Sequence, residues 1–500
     1  MTAEVRRALE RHAARRRLRA PLAAGLVVTA ALACCAGAAT AGTATARPAK
    51  SASVGFGSNW TTYHADAEAT GVAGQVRLRP TRRAWVSPTL DGQLYGEPLV
   101  ADGRVVAATE NDTVYAMSAR TGRILWRRHL AKPVPSSDLP CGDISPEVGI
   151  TGTPVIDLAR NEIFVDADTL TPGPSASHGV EASHRLFGLS LSTGRVELDE
   201  AAMPNAGEDQ LAQLQRPGLA LDSGRVVIAY GQNTGDCPGP NGPAHGYVVS
   251  IPEQGGPLHY FQISHGNDRG AVWMGGSSPV VDPSGNVYVA SADGYNQGAG
   301  QPYDDSDAVL ELSPNMHLKS IFYLSDWQTL SGDDLDLGTG DPVLVHGFVF
   351  QIGKTDIGYL LRQGHLGGRD GEVASLHMCS GDPDGGHVLL GSVIYLPCPN
   401  GLTAIRVSTR PPYLKQLWTD SDGAHSSPIV AAGLVWTIGS DNAVHGLNPA
   451  NGNEVTSIPF GAPVNHFPTP TVADGLLLLP GADQLFAFKG PAGLPPPPAK

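Results

Sequence analysis

The chain is poor in the groups that hold transition metals and in the charge that binds nucleic acid. It has six cysteines. Cys34 and Cys35 fall in an N-terminal leader, and Cys141, Cys237, Cys379 and Cys398 never stand at a Cys-x-x-Cys spacing. That excludes zinc-ribbon and thiol-redox motifs, and the scattered histidines offer no zinc set either. Basic residues are also scarce, with 34 Lys and Arg against 48 Asp and Glu. The first 46 residues hold 7 of those basic and 2 of those acidic residues, which leaves 27 against 46 and a formal charge of −19. Nucleic acid and anionic membrane reward a basic patch, so neither is an expected partner. Beyond the leader no segment keeps a 3.6-residue apolar stripe, which speaks against a helical fold.

The leader reads as a secretory signal over residues 1–46. Seven arginines from Arg6 to Arg19 precede an apolar stretch around Leu22 to Cys35, and Ala44-Thr45-Ala46 resembles a small-residue cleavage site. No stop-transfer run follows, so a secreted chain is expected, and a monomer. Cys34 after Leu32-Ala33 leaves lipidation as the alternative, with Ala31 where such a site has Leu; membrane contact is expected only in that case. The four remaining cysteines are expected to pair in an exported chain, Cys379 with Cys398 inside one repeat and Cys141 with Cys237 between Gly/Pro-rich loops. Residues 47–84 form an N-terminal extension, and residues 490–500 a Pro-rich tail.

What is abundant is repetition. Gly96-Glu97-Pro98-Leu99-Val100 leads into Arg104-Val105-Val106-Ala107-Ala108, then Thr113-Val114-Tyr115-Ala116-Met117, and Thr121-Gly122-Arg123-Ile124-Leu125-Trp126 closes the unit. The opening returns at Pro154, Pro217, Pro279, Pro342, Pro428 and Pro470. The 86 residues between Pro342 and Pro428 hide a further copy at Val393-Ile394-Tyr395-Leu396-Pro397 and Gly401-Leu402-Thr403-Ala404-Ile405. Units of this length, with short β-rich runs separated by turn residues, predict four-stranded propeller blades. The fold expected is all-β: an eight-bladed β-propeller of four-stranded antiparallel blades over residues 85–489. Trp85 and its neighbours are expected to supply a strand to the last blade.

The run Val114-Tyr115-Ala116-Met117-Ser118-Ala119-Arg120-Thr121-Gly122-Arg123-Ile124-Leu125-Trp126 resembles the "YALDAxTGxxxW" signature of propellers in the pyrroloquinoline quinone (PQQ) family. Phe187 to Gly194 and Val444 to Gly452 are similar. In the quinoprotein alcohol dehydrogenases of that superfamily a tryptophan floors the quinone, and Gly270-Ala271-Val272-Trp273-Met274 resembles the segment that carries it, with Met274 in place of Asp. The resemblance then implies cofactor binding by Trp273 and Lys354, calcium binding by Asp293 and Glu181, and Asp336 as the general base. A carboxylate suits that last role beside a metal and a hydride acceptor.

Other residues depart from the dehydrogenase pattern. The mature chain lacks the adjacent-cysteine pair that covers the quinone in many of those enzymes, and no Cys-x-x-Cys-His offers a haem. Two functions therefore stand side by side. One is an exported scaffold that binds an unknown small ligand or a protein at the central channel face. The other is a PQQ- and calcium-dependent dehydrogenase acting on an alcohol or sugar. The bland reading of each residue is also open: Trp273 as packing, Asp293-Gly294 as a turn, and the Asp304–Asp307 and Asp333–Asp336 clusters as solvated loops or a structural calcium site.

Overall fold

Short runs of β-branched and aromatic residues bounded by Gly, Asp and Pro make strands, and in the computed structural model they do so in eight successive units. The structure describes residues 59–490 except 75, 77, 79, 140, 173–179, 205–209, 234–244, 265–268, 295–301 and 421–424. Blade 1 consists of Leu99–Ala101, Arg104–Thr109, Thr113–Ser118 and Ile124–His129. Blades 2 to 8 begin at Val155–Asp157, Ala220–Asp222, Val280–Val281, Val343–Val345, Val388–Leu390, Ile429–Ala431 and Thr471–Ala473. Each has a four-stranded antiparallel core, to which blade 3 adds Gln213–Leu214 and blade 4 adds the parallel strand Gly368–Arg369, and together they form an eight-bladed propeller. Blade 6 is the degenerate copy. Arg82–Val86 is the fourth strand of blade 8, antiparallel to Leu485–Lys489, so the chain's two ends close the ring and Trp85 sits where expected. That strand starts three residues before the expected propeller boundary.

The middle strands of a blade are covered on both faces by neighbouring blades. Arg104–Thr109 and Thr113–Ser118 accordingly bury nearly every side chain, while the outer strand Ile124–His129 turns mostly to solvent. This is why the sequence shows continuous apolar runs rather than strict alternation.

The Thr-Gly and Trp of the repeat signature have a joint purpose. The Trp85 indole N–H donates to the Ala119 carbonyl at 2.8 Å, Trp126 to Leu191 at 3.0 Å and Trp418 to Pro449 at 3.1 Å. In each case the acceptor lies three residues before a glycine of the next blade, Gly122, Gly194 or Gly452, whose φ is 68–73°. A Cβ there would meet the indole at 2.5 or 2.6 Å. Glycine is required both for the left-handed backbone and for the ring lying against it. An outer-strand tryptophan thus docks one blade onto the next and satisfies its polar N–H.

The innermost strand of every blade is an edge, with backbone groups facing the channel. Part of that edge is covered by the N-terminal extension. Trp60 exchanges backbone hydrogen bonds with Val100 of blade 1 at 2.7 and 2.8 Å. The carbonyls of Thr61, Ala67, Thr70 and Gly71 accept from Ile156, Val281, Leu389 and Val430, in blades 2, 4, 6 and 7, at 2.7–3.0 Å. Trp60, Tyr63 and His64 are buried. Residues 59–73 therefore plug the channel with the chain's own backbone.

Cys379 and Cys398 form a disulfide as expected, but it does not lie within one repeat. Cys379 follows the outer strand of blade 5 and Cys398 ends the second strand of blade 6, so the bond joins two blades. The other expected pairing involves Cys237, which lies outside the described residues.

Candidate functional site

Each repeat enters its innermost strand through a proline or its equivalent, and the residue just before that proline, or just before Val388 in blade 6, is buried. Around the eight blades these residues are Glu97, Thr153, Arg216, Ser278, Asp341, His387, Ser427 and Thr469, all buried. Several bond to one another or to the plug. The Glu97 amide donates to Thr153 Oγ1 at 2.8 Å, and the His64 amide donates to Glu97 Oε2 at 2.9 Å. The His387 amide donates to Asp341 Oδ1 at 3.0 Å, and the Gly386 amide to Ser427 Oγ at 2.8 Å. Burial pushes the Glu97 carboxyl up to about 8, although the His64 amide pulls against it.

Beside this ring, on the face where blades connect, lies a cavity of roughly 380 Å³. It is lined by loops from several blades: Cys141 and Asp143 between blades 1 and 2, Leu214 and Arg216 between 2 and 3, Trp273 and Gly275 between 3 and 4, Asp336 and Thr339 between 4 and 5, Lys354 within blade 5, Asp384 after it, and Phe467 before blade 8. Trp273 and Asp336 each stand six residues before their repeat's proline. The blade-to-blade connection therefore delivers both to the same rim.

Four of the five residues singled out by sequence meet here. The Trp273 indole N–H donates to Asp293 Oδ2. The Asp293 amide donates to Asp336 Oδ1 at 3.2 Å. Lys354 Nζ donates to Asp336 Oδ2 at 2.8 Å and also pairs with Asp334. Trp273 is positioned by an unusual turn: Met274, Gly275 and Gly276 all have positive φ, and Met274 is fully buried with its amide on the Gly338 carbonyl at 3.1 Å. A non-glycine residue held there costs of order 1–3 kcal/mol, and such strain gathers where a side chain must be aimed. Trp273 also packs against the buried cluster of Ile144, Val148 and Leu214, so the packing role holds alongside its place on the cavity.

Burial pushes the Asp336 carboxyl up to about 6, with the Lys354 ammonium pulling it down. Burial works against the charge on Lys354, but Asp336 and Asp334 outweigh it and hold the ammonium above its ordinary range. Burial likewise raises Asp384 to about 7. Ligand atoms of Asp293, Asp334 and Asp336 lie within 4.8 Å of one another, which is metal-capable spacing. A calcium ion wants six to eight oxygens at about 2.3–2.6 Å, whereas two of these carboxylates already close on Lys354. As arranged, Asp334 and Asp336 balance the Lys354 ammonium.

Glu181 is not brought to this point. It lies on the third strand of blade 2, Val180–Ser190, and belongs neither to the cavity lining nor to the carboxylate group. Asp304 and Asp307 are structural in their contacts: Asp304 accepts from Ser306, and Asp307 accepts the Leu337 amide at 3.1 Å. Sequence reasoning missed Arg216, Asp384, Asp143 and Phe467. For Arg216 a signal existed, since it is the one basic side chain before a repeat proline where the other copies carry Glu, Thr, Ser or Asp.

Comparison with curated proteins gives no match. A protein-family model described as outer membrane protein assembly factor BamB matches residues 79–295. Among solved structures, the chain is similar to a quinohemoprotein alcohol dehydrogenase from Comamonas testosteroni. The two share 13% identity and a TM-score of 0.64, over 89% of this chain and 82% of that one. A quinohemoprotein alcohol dehydrogenase from Pseudomonas putida HK5 gives 13%, 0.62, 89% and 82%. A europium-containing methanol dehydrogenase gives 13%, 0.61, 84% and 89%. At such identity the likeness is one of fold.

Proposed function

We propose that the chain is a member of the PQQ-like β-propeller repeat family and an exported binding protein whose axial cavity takes a small planar ligand. One observation carries this reading: an aromatic face, Trp273, lines a cavity together with the convergent charged groups Asp336, Lys354 and Arg216. Binding sites characteristically combine an apolar wall with a few placed polar groups. The plug supports a small ligand over a threaded protein segment, because residues 59–73 already bond to the innermost strands of five blades.

PQQ is the ligand to try first. Trp273 would pack against its plane, and Lys354 and Arg216 would meet its oxyanions. When bound, a quinone of this kind accepts a hydride equivalent. A second reading, oxidation of an alcohol or sugar, is favoured by Asp336. A buried carboxyl raised to about 6 is poised to take a proton near neutral pH. No step is assigned to calcium, since Lys354 holds the carboxylates a metal would need.

Titration calorimetry of the purified chain with PQQ tests the proposal. Saturable binding is expected, unchanged by chelator and weakened by Trp273→Ala. Absence of binding heat at micromolar protein would overturn it, and a dye-linked oxidation assay on the loaded protein separates the two readings. N-terminal sequencing of protein recovered from the culture medium tests export.

A further inference from the structure

This acidic chain has one outer surface from which acid is missing. Beyond residue 46 it holds 27 Lys and Arg against 46 Asp and Glu, yet seven of those 27 gather on the outer strands and turns of blades 8 and 1. Arg82 and Arg83 open the outer strand of blade 8, where Arg82 stands directly opposite Lys489. Arg120 and Arg123 lie on the turn that enters the outer strand of blade 1, and Arg127 and Arg128 lie on that strand. All six arginines are exposed. Segments 80–88, 118–132 and 484–489 contain no Asp or Glu.

The Trp85 lock brings these segments together. Its indole bonds the Ala119 carbonyl at 2.8 Å and lies against Gly122, so the outer strand of blade 8 rests on the turn that carries Arg120 and Arg123. Arg83 lies over the Phe486 and Phe488 rings at 5.7 and 6.0 Å and donates to the Phe460 carbonyl at 3.3 Å, and Arg128 donates to the Gly194 carbonyl at 3.0 Å. Such contacts orient a guanidinium without neutralising it. Among the described residues none of the seven cations has an ion pair. Blade 2 shows the opposite arrangement, with Arg185 on Asp199 at 2.6 Å and Arg195 on Glu197 at 2.7 Å.

Like charges set side by side and opposite one another repel, so an unpaired stripe of them suits an anionic partner. A guanidinium fork meets a carboxylate with two parallel hydrogen bonds. The stripe is also narrow. Glu197, Asp199 and Glu200 stand on the outer strand of blade 2 on one side, and Glu454 on that of blade 7 on the other. A bilayer or a nucleic-acid duplex is broad enough to meet those carboxylates too, whereas a single extended chain can keep to the arginines. Among such chains a stiff one loses less conformational freedom on binding than a flexible acidic peptide.

We infer that the outer face of blades 8 and 1 is a docking surface for a linear acidic polysaccharide whose carboxylates lie along the arginine stripe. None of the seven residues lines the axial cavity, so the surface is separate from the ligand site.

The test measures binding of the full chain to immobilised polygalacturonate, with neutral dextran as the control. Wild type is expected to bind polygalacturonate and not dextran, and to lose at least about tenfold in affinity between about 50 and about 200 mM salt as counterions are released. Arg120→Glu combined with Arg123→Glu should weaken binding by about tenfold or more. Arg406→Glu combined with Lys415→Glu reverses two exposed cations on blade 6 and changes the net charge equally, but should leave affinity within about twofold. Near-ultraviolet circular dichroism reports whether each variant is folded, and Arg127→Gln combined with Arg128→Gln carries the test if the first pair is not. PQQ titrations are expected to be the same in all variants, so this surface and the cavity stand or fall separately. Failure of wild type to bind polygalacturonate, an equal loss in the blade 6 variant, or no loss in the stripe variants would overturn the assignment. Tighter binding to polyglutamate, duplex DNA or phosphatidylglycerol vesicles than to polygalacturonate would overturn it as well, by giving the stripe to that other partner.

Discussion

The ring has two kinds of blade junction. Where blade 8 meets blade 1, blade 1 meets blade 2 and blade 6 meets blade 7, an outer-strand tryptophan lies on a positive-φ glycine and bonds a fixed carbonyl. The outer strands of blades 2, 3, 4, 5 and 7, Val196–Ala201, His259–Gln262, Leu318–Tyr323, Ala374–His377 and Glu454–Pro459, hold no tryptophan. The repeats of blades 2, 3 and 4 are also longer, 62 or 63 residues between successive prolines from Pro154 to Pro342, against 42 in blade 7, from Pro428 to Pro470. The extra length sits in the connections that carry Trp273, Asp293 and Asp336, while Lys354 comes from the short turn between Phe348–Ile352 and Ile357–Arg362 of blade 5. Locked junctions build the wall, and the unlocked arc has loop to spare for chemistry.

The sharpest way to break this contrast is to remove a lock. Trp126→Ala should cost about 3–5 kcal/mol of unfolding free energy, read as a lower denaturation midpoint, with ligand affinity little changed. A comparable loss of affinity would show that the wall and the arc are not independent. Next in size is the covalent tie between blades 5 and 6. Cys379→Ser opens a loop with 19 residues of sequence separation, which should cost about 2–4 kcal/mol, measured by chemical denaturation against the oxidised parent. Gly194→Ala places a Cβ at 2.5 Å from the Trp126 ring in a backbone with φ of 68°. About 1–3 kcal/mol is expected, and a neutral result would mean the ring can move aside.

The smallest effect comes from the arc and depends on pH. Asp336 is raised by burial to about 6 from 3.8. The folded state holds that proton more tightly than the unfolded one, so the stability it contributes is present in acid and lost as pH rises from about 4 through about 6. Lys354 limits the loss. In Lys354→Met the carboxyl should rise further, leaving the variant close to wild type at pH 5 and about 1–2 kcal/mol less stable at pH 8. Melting curves at the two pH values read this directly, and a cost independent of pH would detach Lys354 from Asp336.

Much of the wall was legible because each part of it is local. A Pro-led apolar run, a Gly or Asp turn and a Thr-Gly before a Trp are contiguous in the chain, and their physical partners recur at the next copy. Blade 6, with its degenerate opening, was still readable from Val393–Leu396 and Gly401–Ile405. Of the site, Trp273, Asp293, Asp336 and Lys354 were readable through a family pattern. Glu181 was placed by the same pattern and stands on a blade 2 strand apart from the cavity. The plug could not be read at all, since Trp60 to Ala73 shows no strand pattern and pairs with five inner strands only because their edges face it.

The sequence alone determined the eightfold strand pattern, the closing strand at Trp85 and the excess of acid, because each is written in neighbouring residues or in composition. Only the tertiary structure decided that Lys354 closes on Asp336 and Asp334, that the Cys379–Cys398 bond joins two blades, and that Arg216 stands against the Tyr95 and Phe467 rings on the cavity. Each of these depends on which loops the closed ring brings within a few ångströms across the axis. A strand pattern is set by successive side chains, but charge balance is set by distance in space, and distances between residues far apart in the chain exist only once the ring has closed.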